Sequence, residues 1–324
     1  MDHVITVDDS ISAHRALRLI RRGSTLLWKG DFQNAKQLLA ALGRRIPAER
    51  GGSFQAQRRR AAERARVLNA LVVPLVGHQV LLRRAPDVRT ACDQAYGPAQ
   101  GDRAVPLREL LGVIGAHQLR VRGVYVPALG ARVHPHYGVF APTRSEYADL
   151  VVGQPLPRVR TAFDIGTGTG LLTALLSKRG VPEVVATDNN PRAVECAREN
   201  LARLGVRAGV VETDLFPAGR ADLIVCNPPW IPAVPLTMLD HAVYDEDSRM
   251  LRAFLRTAGE HLEPGGEVWL ILSDLAERFG LREQGELLEM VRAGGLRVAG
   301  RTDAVPRHGR ARSGELTTLW RLTA

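Results

Sequence analysis

The sequence predicts an α/β protein in which a mostly parallel, seven-stranded sheet follows a smaller, mainly helical N-terminal domain and a linking β-hairpin. Three observations carry this. From Val159 onward, short apolar runs alternate with runs of helical periodicity, as in chained βαβ units. The first of those strands ends in a glycine-rich turn, with glycines at 166, 168 and 170, that opens a helix. Before Leu119 the chain reads as helix and is rich in arginine, and at Leu119 it changes to alternating apolar and polar residues. The expected divisions are a helical, basic substrate-recognition domain at 1–118, a hairpin linker at 119–142 and an α/β domain at 143–324.

In the N-terminal part, Asp9 or Ser10 is expected to cap a helix through about Arg22, with Ile11, Ala16, Leu17 and Ile20 as its apolar stripe. A second helix is expected from Phe32 or Asn34 to about Arg44, broken by the stretch 49–53. A third runs from Phe54 to Leu71 and carries Arg58, Arg59, Arg60, Arg64 and Arg66 over more than one face, which reads as a solvated surface. Val72 to Gln118 reads as further helix with loops. Residues 119–127 and 132–140 then alternate around a glycine at 130, the mark of a hairpin. A short helix is expected at 143–151. Strands are expected at 160–165, 183–188, 207–212, 221–226, 266–273, 296–302 and 315–322, and helices at 169–179, 191–204, 248–262 and 281–293.

The chain has 324 residues, 45% of them hydrophobic and 24% charged, so it holds enough apolar side chain to bury a core. No apolar run reaches the ~18 residues of a membrane helix. The opening MDHVITVDDS carries acids and no apolar core segment, so no signal peptide is expected, and a cytoplasmic location is the default. Cys92, Cys196 and Cys226 lie too far apart for a disulfide framework or a cysteine zinc site, and no metal is expected. Residues 1–150 hold 23 Lys and Arg against 12 Asp and Glu, whereas 151–324 hold 21 against 22. The excess positive charge could steer RNA or a ribosomal surface. Only Lys29, Lys36 and Lys178 are lysine, so an arginine-rich composition on exposed helix faces explains the charge equally well.

Chemistry concentrates after each strand of the second half. The glycines at 166, 168 and 170 let the backbone turn sharply and approach a ligand. Their G-x-G-x-G spacing is not the G-x-G-x-x-G of dinucleotide sites, and Asp164 just before them would repel a phosphate, so the turn suits a ligand with a cationic or amino end. Asp188, ending the second strand, is placed to grip ribose hydroxyls, although it could equally cap the helix entered through Pro191. Asp214, after the third strand, could accept from an exocyclic amine. The strongest signal is 222–230, AspLeuIleValCysAsnProProTrp. Asn227 emerges at the edge of a buried strand, and Pro228 and Pro229 stiffen the turn and carry no N–H. The Asn227 side-chain oxygen and the Pro228 carbonyl make a fixed pair of acceptors for an –NH2 group, and Trp230 offers a flat face for stacking.

Together, AspIleGlyThrGlyThrGly at 164–170, ThrAspAsnAsnPro at 187–191 and AsnProProTrp at 227–230 strongly resemble class I S-adenosylmethionine-dependent methyltransferases. They resemble more narrowly the methyltransferase small domain group, which includes protein-glutamine methyltransferases and several rRNA and tRNA base methyltransferases. The resemblance covers about 136–324, including TyrGlyValPheAlaPro at 137–142, and the N-terminal helices and hairpin look like the layout of the glutamine enzymes. It implies a Rossmann-like seven-stranded methyltransferase sheet with its last strand antiparallel. It implies S-adenosyl-L-methionine held by Asp164, Gly166, Thr167, Gly168, Gly170, Asp188, Asn189, Asp214, Leu215 and Asn227, and a methyl acceptor bound by Asn227, Pro228, Pro229 and Trp230. The family commonly ends this last motif in tyrosine or phenylalanine; tryptophan still stacks but enlarges the platform. The expected acceptor is a planar nitrogen, a protein glutamine or a nucleobase, with a protein or RNA partner at or near the ribosome and no membrane.

Other residues have plainer readings. Asp245, Glu246 and Asp247 read as a solvated acidic loop capping the next helix. His134 and His136 read as a surface strand, because no third ligand is placed beside them. His241 and Tyr244 could line the site. Arg301, Arg307, Arg310 and Arg312 could hold an anion or belong to a mobile loop. A nicotinamide dehydrogenase is a rival reading that leaves the AsnProProTrp motif without a role, and a non-catalytic RNA-binding or assembly module is another.

Overall fold

The structure is a computed structural model describing residues 3–46, 52–235, 242–306 and 314–324. The expected chain break at 49–51, His241, Arg307, Arg310 and Arg312 lie outside the described residues. The chain divides into two compact units, Met1–Gln118 and Leu119–Ala324.

The first unit holds more helix than strand, as expected, and adds a four-stranded sheet that was not expected. It holds β1 (His3–Val7), α1 (Ala13–Arg21), β2 (Ser24–Trp28), α2 (Phe32–Arg45), α3 (Phe54–Asn69), β3 (Leu71–Val76), α4 (Arg89–Tyr96) and β4 (Asp102–Pro106). The strands form one sheet in the order β1-β2-β3-β4, with β1, β2 and β3 parallel and β4 antiparallel to β3. The edge strands β1 and β4 bury only one residue each, so neither carries the continuous apolar run of a buried strand. Pro74 also argues against a strand at 71–76. It is tolerated because β2 pairs only with Leu71 and Val72, so no ladder bond to β2 is required at Pro74. The expected α1 begins at Ala13, where the Ser12 hydroxyl accepts from Arg15 N. Buried Asp31 caps α2 through Gln33 N and takes the guanidinium of Arg84, which holds its carboxyl well below the usual range.

α5 (Leu107–Arg122) carries the chain into the second unit, so residues 119–122 are helical and not strand. The hairpin is correspondingly short, β5 (Val124–Val126) paired with β6 (Ala131–Val133). Beyond it the chain is held by side chains of a helix instead of a strand partner. His134 N donates to Asn200 Oδ1 (2.8 Å), Pro135 has no N–H to give a ladder, and His136 N donates to Cys196 Sγ.

The remaining elements follow the expected alternation. They are α6 (Glu146–Gly153), β7 (Thr161–Ile165), α7 (Leu171–Lys178), β8 (Glu183–Asp188), α8 (Pro191–Arg203), β9 (Gly209–Glu212), β10 (Ala221–Cys226), α9 (Arg249–Thr257), β11 (Leu262–Ser273), α10 (Leu275–Arg278), α11 (Glu286–Ala293), β12 (Arg297–Ala304) and β13 (Thr317–Thr323). The seven strands lie in the order β12-β13-β11-β10-β7-β8-β9, all parallel except β13, which runs antiparallel to both neighbours. One apolar core fills the face covered by α6 and α7, with Tyr147, Leu150, Leu171 and Leu175. A second fills the face covered by α9 and α11, with Leu251, Phe254, Leu287 and Met290. The strand order reverses between β7 and β10, and a ligand crevice is expected outside the carboxyl ends of those strands.

Candidate active site

A cavity of about 460 Å3 opens at that reversal, within the range of sites for cofactor-sized ligands, roughly 300–1,000 Å3. Its walls include Gly166, Thr167 and Gly168 after β7, Asp188 and Asn189 after β8, Asp214 and Leu215 after β9, and Asn227, Pro228, Pro229 and Trp230 after β10. Four separate strand ends are thereby gathered around one space.

The turn after β7 is fixed from below. Gly166 and Thr167 both donate their N–H to Thr187 O at 2.9 Å, tying the turn to β8. Gly166 and Gly168 have φ of +72° and +55°, which non-glycine residues rarely adopt. No neighbouring atom lies within 4 Å of the place a Gly168 Cβ would take, so the backbone there is open to a ligand. Two expected contacts fall elsewhere. Gly170 does not line the cavity; a Cβ on it would stand 3.3 Å from the Ala197 backbone, so its role here is close packing of the turn on α8. Asp164 is buried, at 1% exposure, and is also absent from the walls. Its Oδ2 accepts from the Thr167 hydroxyl and from the Thr173 N–H and hydroxyl, while its Oδ1 has no partner. Burial pushes its carboxyl up from the ordinary value, against those hydrogen bonds.

Asp188 caps the entry to α8 as expected, and it lines the cavity. Its Oδ1 accepts from Asn190 N (2.9 Å) at the entry to α8, and its Oδ2 accepts from Gly168 N (3.0 Å). Each oxygen keeps a lone pair for a hydroxyl donor. Burial pushes its carboxyl up, against the backbone hydrogen bonds. Asp214 is exposed at the rim, with Asn189 Nδ2 3.4 Å from its Oδ1. Leu215 has φ +60°, an uncommon conformation for a side chain of its size, and its carbonyl is held by the Thr187 hydroxyl at 2.5 Å. That hydrogen bond helps hold Leu215 in its uncommon conformation at the cavity it lines.

The turn after β10 places Asn227, half-buried, beside buried Pro228. Asn227 Oδ1 accepts from Trp230 Nε1 at 2.9 Å. The loop beyond is tied back by Ile231 N donating to Val243 O and Asp245 N donating to Ile231 O. Asp245 accepts from Met250 N and Leu251 N, so it caps α9 as expected, and it lines the cavity too; Glu246 and Asp247 do not. Tyr244 lines the cavity. Arg301 pairs with Asp303 on β12 and takes no part. His134 Nδ1 donates to Arg120 O on α5, and His136 pairs with Glu199 on α8, so the two side chains fasten this segment to two helices. Sequence reasoning missed Arg144, Tyr147, Thr187 and Met250. Arg144 and Tyr147 lie far from any strand end in sequence, and only the packing of α6 brings them to the cavity.

Strand order and cavity define a Rossmann-like α/β domain built on a seven-stranded sheet. Residues 130–284 match the family model described as the methyltransferase small domain. Among curated relatives, the release factor glutamine methyltransferase of Geobacter sulfurreducens is 35% identical over 36% of this chain and 45% of its own. The ribosomal RNA small subunit methyltransferase C of Alcanivorax borkumensis is 28% identical over 41% of this chain and 40% of its own. The ribosomal protein L11 methylase of Lactobacillus delbrueckii subsp. bulgaricus, a solved structure, superposes with a TM-score of 0.39 at 20% identity, over 53% of this chain and 73% of its own. The chain spans about half the length of the release factor glutamine methyltransferases it matches.

Proposed function

We infer that the chain is an S-adenosylmethionine-dependent N-methyltransferase acting on a planar nitrogen, with a protein glutamine side chain in a translation factor or ribosomal protein as acceptor. The observation that carries this reading is the shared cavity: the glycine turn and Asp188 line it together with the Asn227–Trp230 turn. The residues fit the cofactor. Asp188 suits ribose hydroxyls, and Asp214 with the Leu215 backbone suits an adenine edge. S-adenosyl-L-methionine held there supplies an electrophilic methyl group with a good leaving group. What remains for the protein is to hold the acceptor nitrogen in line and to stabilise the positive charge that develops on it. Asn227 Oδ1 and the Pro228 carbonyl do this as fixed acceptors, and no strong base is needed before transfer. The relatives that supply the glutamine reading are release factor enzymes.

A nucleobase acceptor is the second reading. It is favoured by α1, whose solvent face carries Arg15, Arg18 and Arg21 with no acid on the helix.

Labelled cofactor and the purified protein are added to a lysate of cells lacking the gene, and the product is digested with protease or with ribonuclease. Release of label by protease alone supports the glutamine reading. Release by ribonuclease transfers the assignment to RNA, and no incorporation at all refutes a methyltransferase.

A further inference from the structure

We propose that Trp230 and Arg144 are positioning residues that lock the Asn227 amide in the one orientation able to hold an acceptor N–H. The inference rests on the reading of Asn227 as the acceptor clamp and adds the device that aims it.

An asparagine amide can turn over, exchanging its oxygen and its NH2. Only the oxygen can accept the N–H of the acceptor group. The indole N–H is a donor and never an acceptor, so with Trp230 Nε1 2.9 Å away the position facing it must be Oδ1. Turned over, the amide would set donor against donor. One lone pair of Oδ1 is thereby spent on the indole, and the other is left for the cavity that both residues line. Phenylalanine at 230 would offer a ring and no such donor.

The indole must itself be held. The Arg144 guanidinium lies over its face, with Cζ 4.9 Å from the ring. Arg144 is anchored in turn by two carboxylates. Its Nε donates to Glu146 Oε1 and its Nη2 to Glu315 Oε1, both at 2.7 Å. Glu146 and Glu315 are buried, and Thr317 lies against Glu146 at the start of β13. Two buried carboxylates facing one guanidinium leave Arg144 no inexpensive way to depart, because leaving would strand both charges. The result is a rigid sequence of contacts from α6 and β13 through Arg144 and the indole to Asn227. Arg144 covers one face of the indole, so a flat acceptor stacks on the other. Its charge is already matched, so it is not a free grip for a phosphate.

The test uses the full-length protein and has two readouts. In 15N NMR spectra, the Trp230 indole N–H peak is expected to move in Asn227→Ala and in Arg144→Lys, since lysine keeps the charge but not the planar stack. An indole peak unmoved by Asn227→Ala overturns the lock whatever the reaction. The second readout is methyl incorporation from labelled S-adenosylmethionine into the lysate of cells lacking the gene. Trp230→Phe keeps a ring and is expected to lower the rate about tenfold, the order of one lost hydrogen bond, with cofactor affinity unchanged. A Trp230→Phe protein of full rate overturns the positioning role. An indole peak that moves in the variants, with a wild-type protein that transfers no methyl group, refutes the functional reading and leaves the lock standing.

Discussion

Single side chains here do two jobs, and the two can be separated by substitution. Asp164 pins the glycine turn with one oxygen and leaves the other buried and unpartnered. Asp164→Asn keeps an acceptor for the threonines and removes a buried charge. It is therefore expected to raise stability at neutral pH by about 1 kcal/mol, measured by urea unfolding, with cofactor binding unchanged by calorimetry, since Asp164 does not line the cavity. A variant that loses stability contradicts this assignment. Asp188 was legible from its place at a strand end, because a short apolar run followed by an acid leaves few alternatives. Arg144 was not legible. Its importance comes from contacts with Trp230 and Glu315, 86 and 171 positions away, and no local pattern announces contacts of that separation.

Among elements, the glycine turn and α8 form one unit through Asn200. This residue is buried, accepts from His134 N, and donates through Nδ2 to His134 O and Thr169 O. Asn200→Ala leaves buried groups of two segments without partners, and a loss of about 2 kcal/mol is expected in denaturant unfolding. Gly170→Ala places a Cβ 3.3 Å from Ala197 at φ +79° and is expected to cost about 1–3 kcal/mol. A fall in stability larger than the fall in cofactor affinity would mark it as a packing glycine. The strands β7, β8 and β10 were readable to within a residue because each is a short, largely buried run bounded by turn residues. β1, β3 and β4 were not, since the edge strands β1 and β4 bury one residue each and β3 carries a proline.

For the whole molecule, carboxylates whose pKa folding shifts fall into two groups with opposite pH behaviour. Hydrogen bonds from Arg321 to Glu267 and from Arg301 to Asp303 hold those carboxyls below their ordinary values. A carboxyl lowered by folding adds stability above its unfolded pKa and loses it as the pH falls through the folded value. Asp164 and Asp188 are raised by burial, so their contribution is full below the unfolded pKa and is lost as the pH rises through the folded value. Asp164→Asn is thus expected to gain stability over the wild type at neutral pH and to lose that advantage in acid. Thermal unfolding of both proteins across pH checks this, and an advantage independent of pH contradicts it.

The central claim is that one cavity serves two ends, a cofactor end at the 166–168 turn and Asp188 and an acceptor end at Asn227. Its most direct test is a paired measurement on Asn227→Ala, cofactor affinity by calorimetry and single-turnover methyl transfer into the lysate of cells lacking the gene. Affinity within about twofold of wild type with transfer slowed roughly 10²–10³-fold, the scale of a lost charge-stabilising group, is the expected result. Near-normal transfer by Asn227→Ala would contradict it.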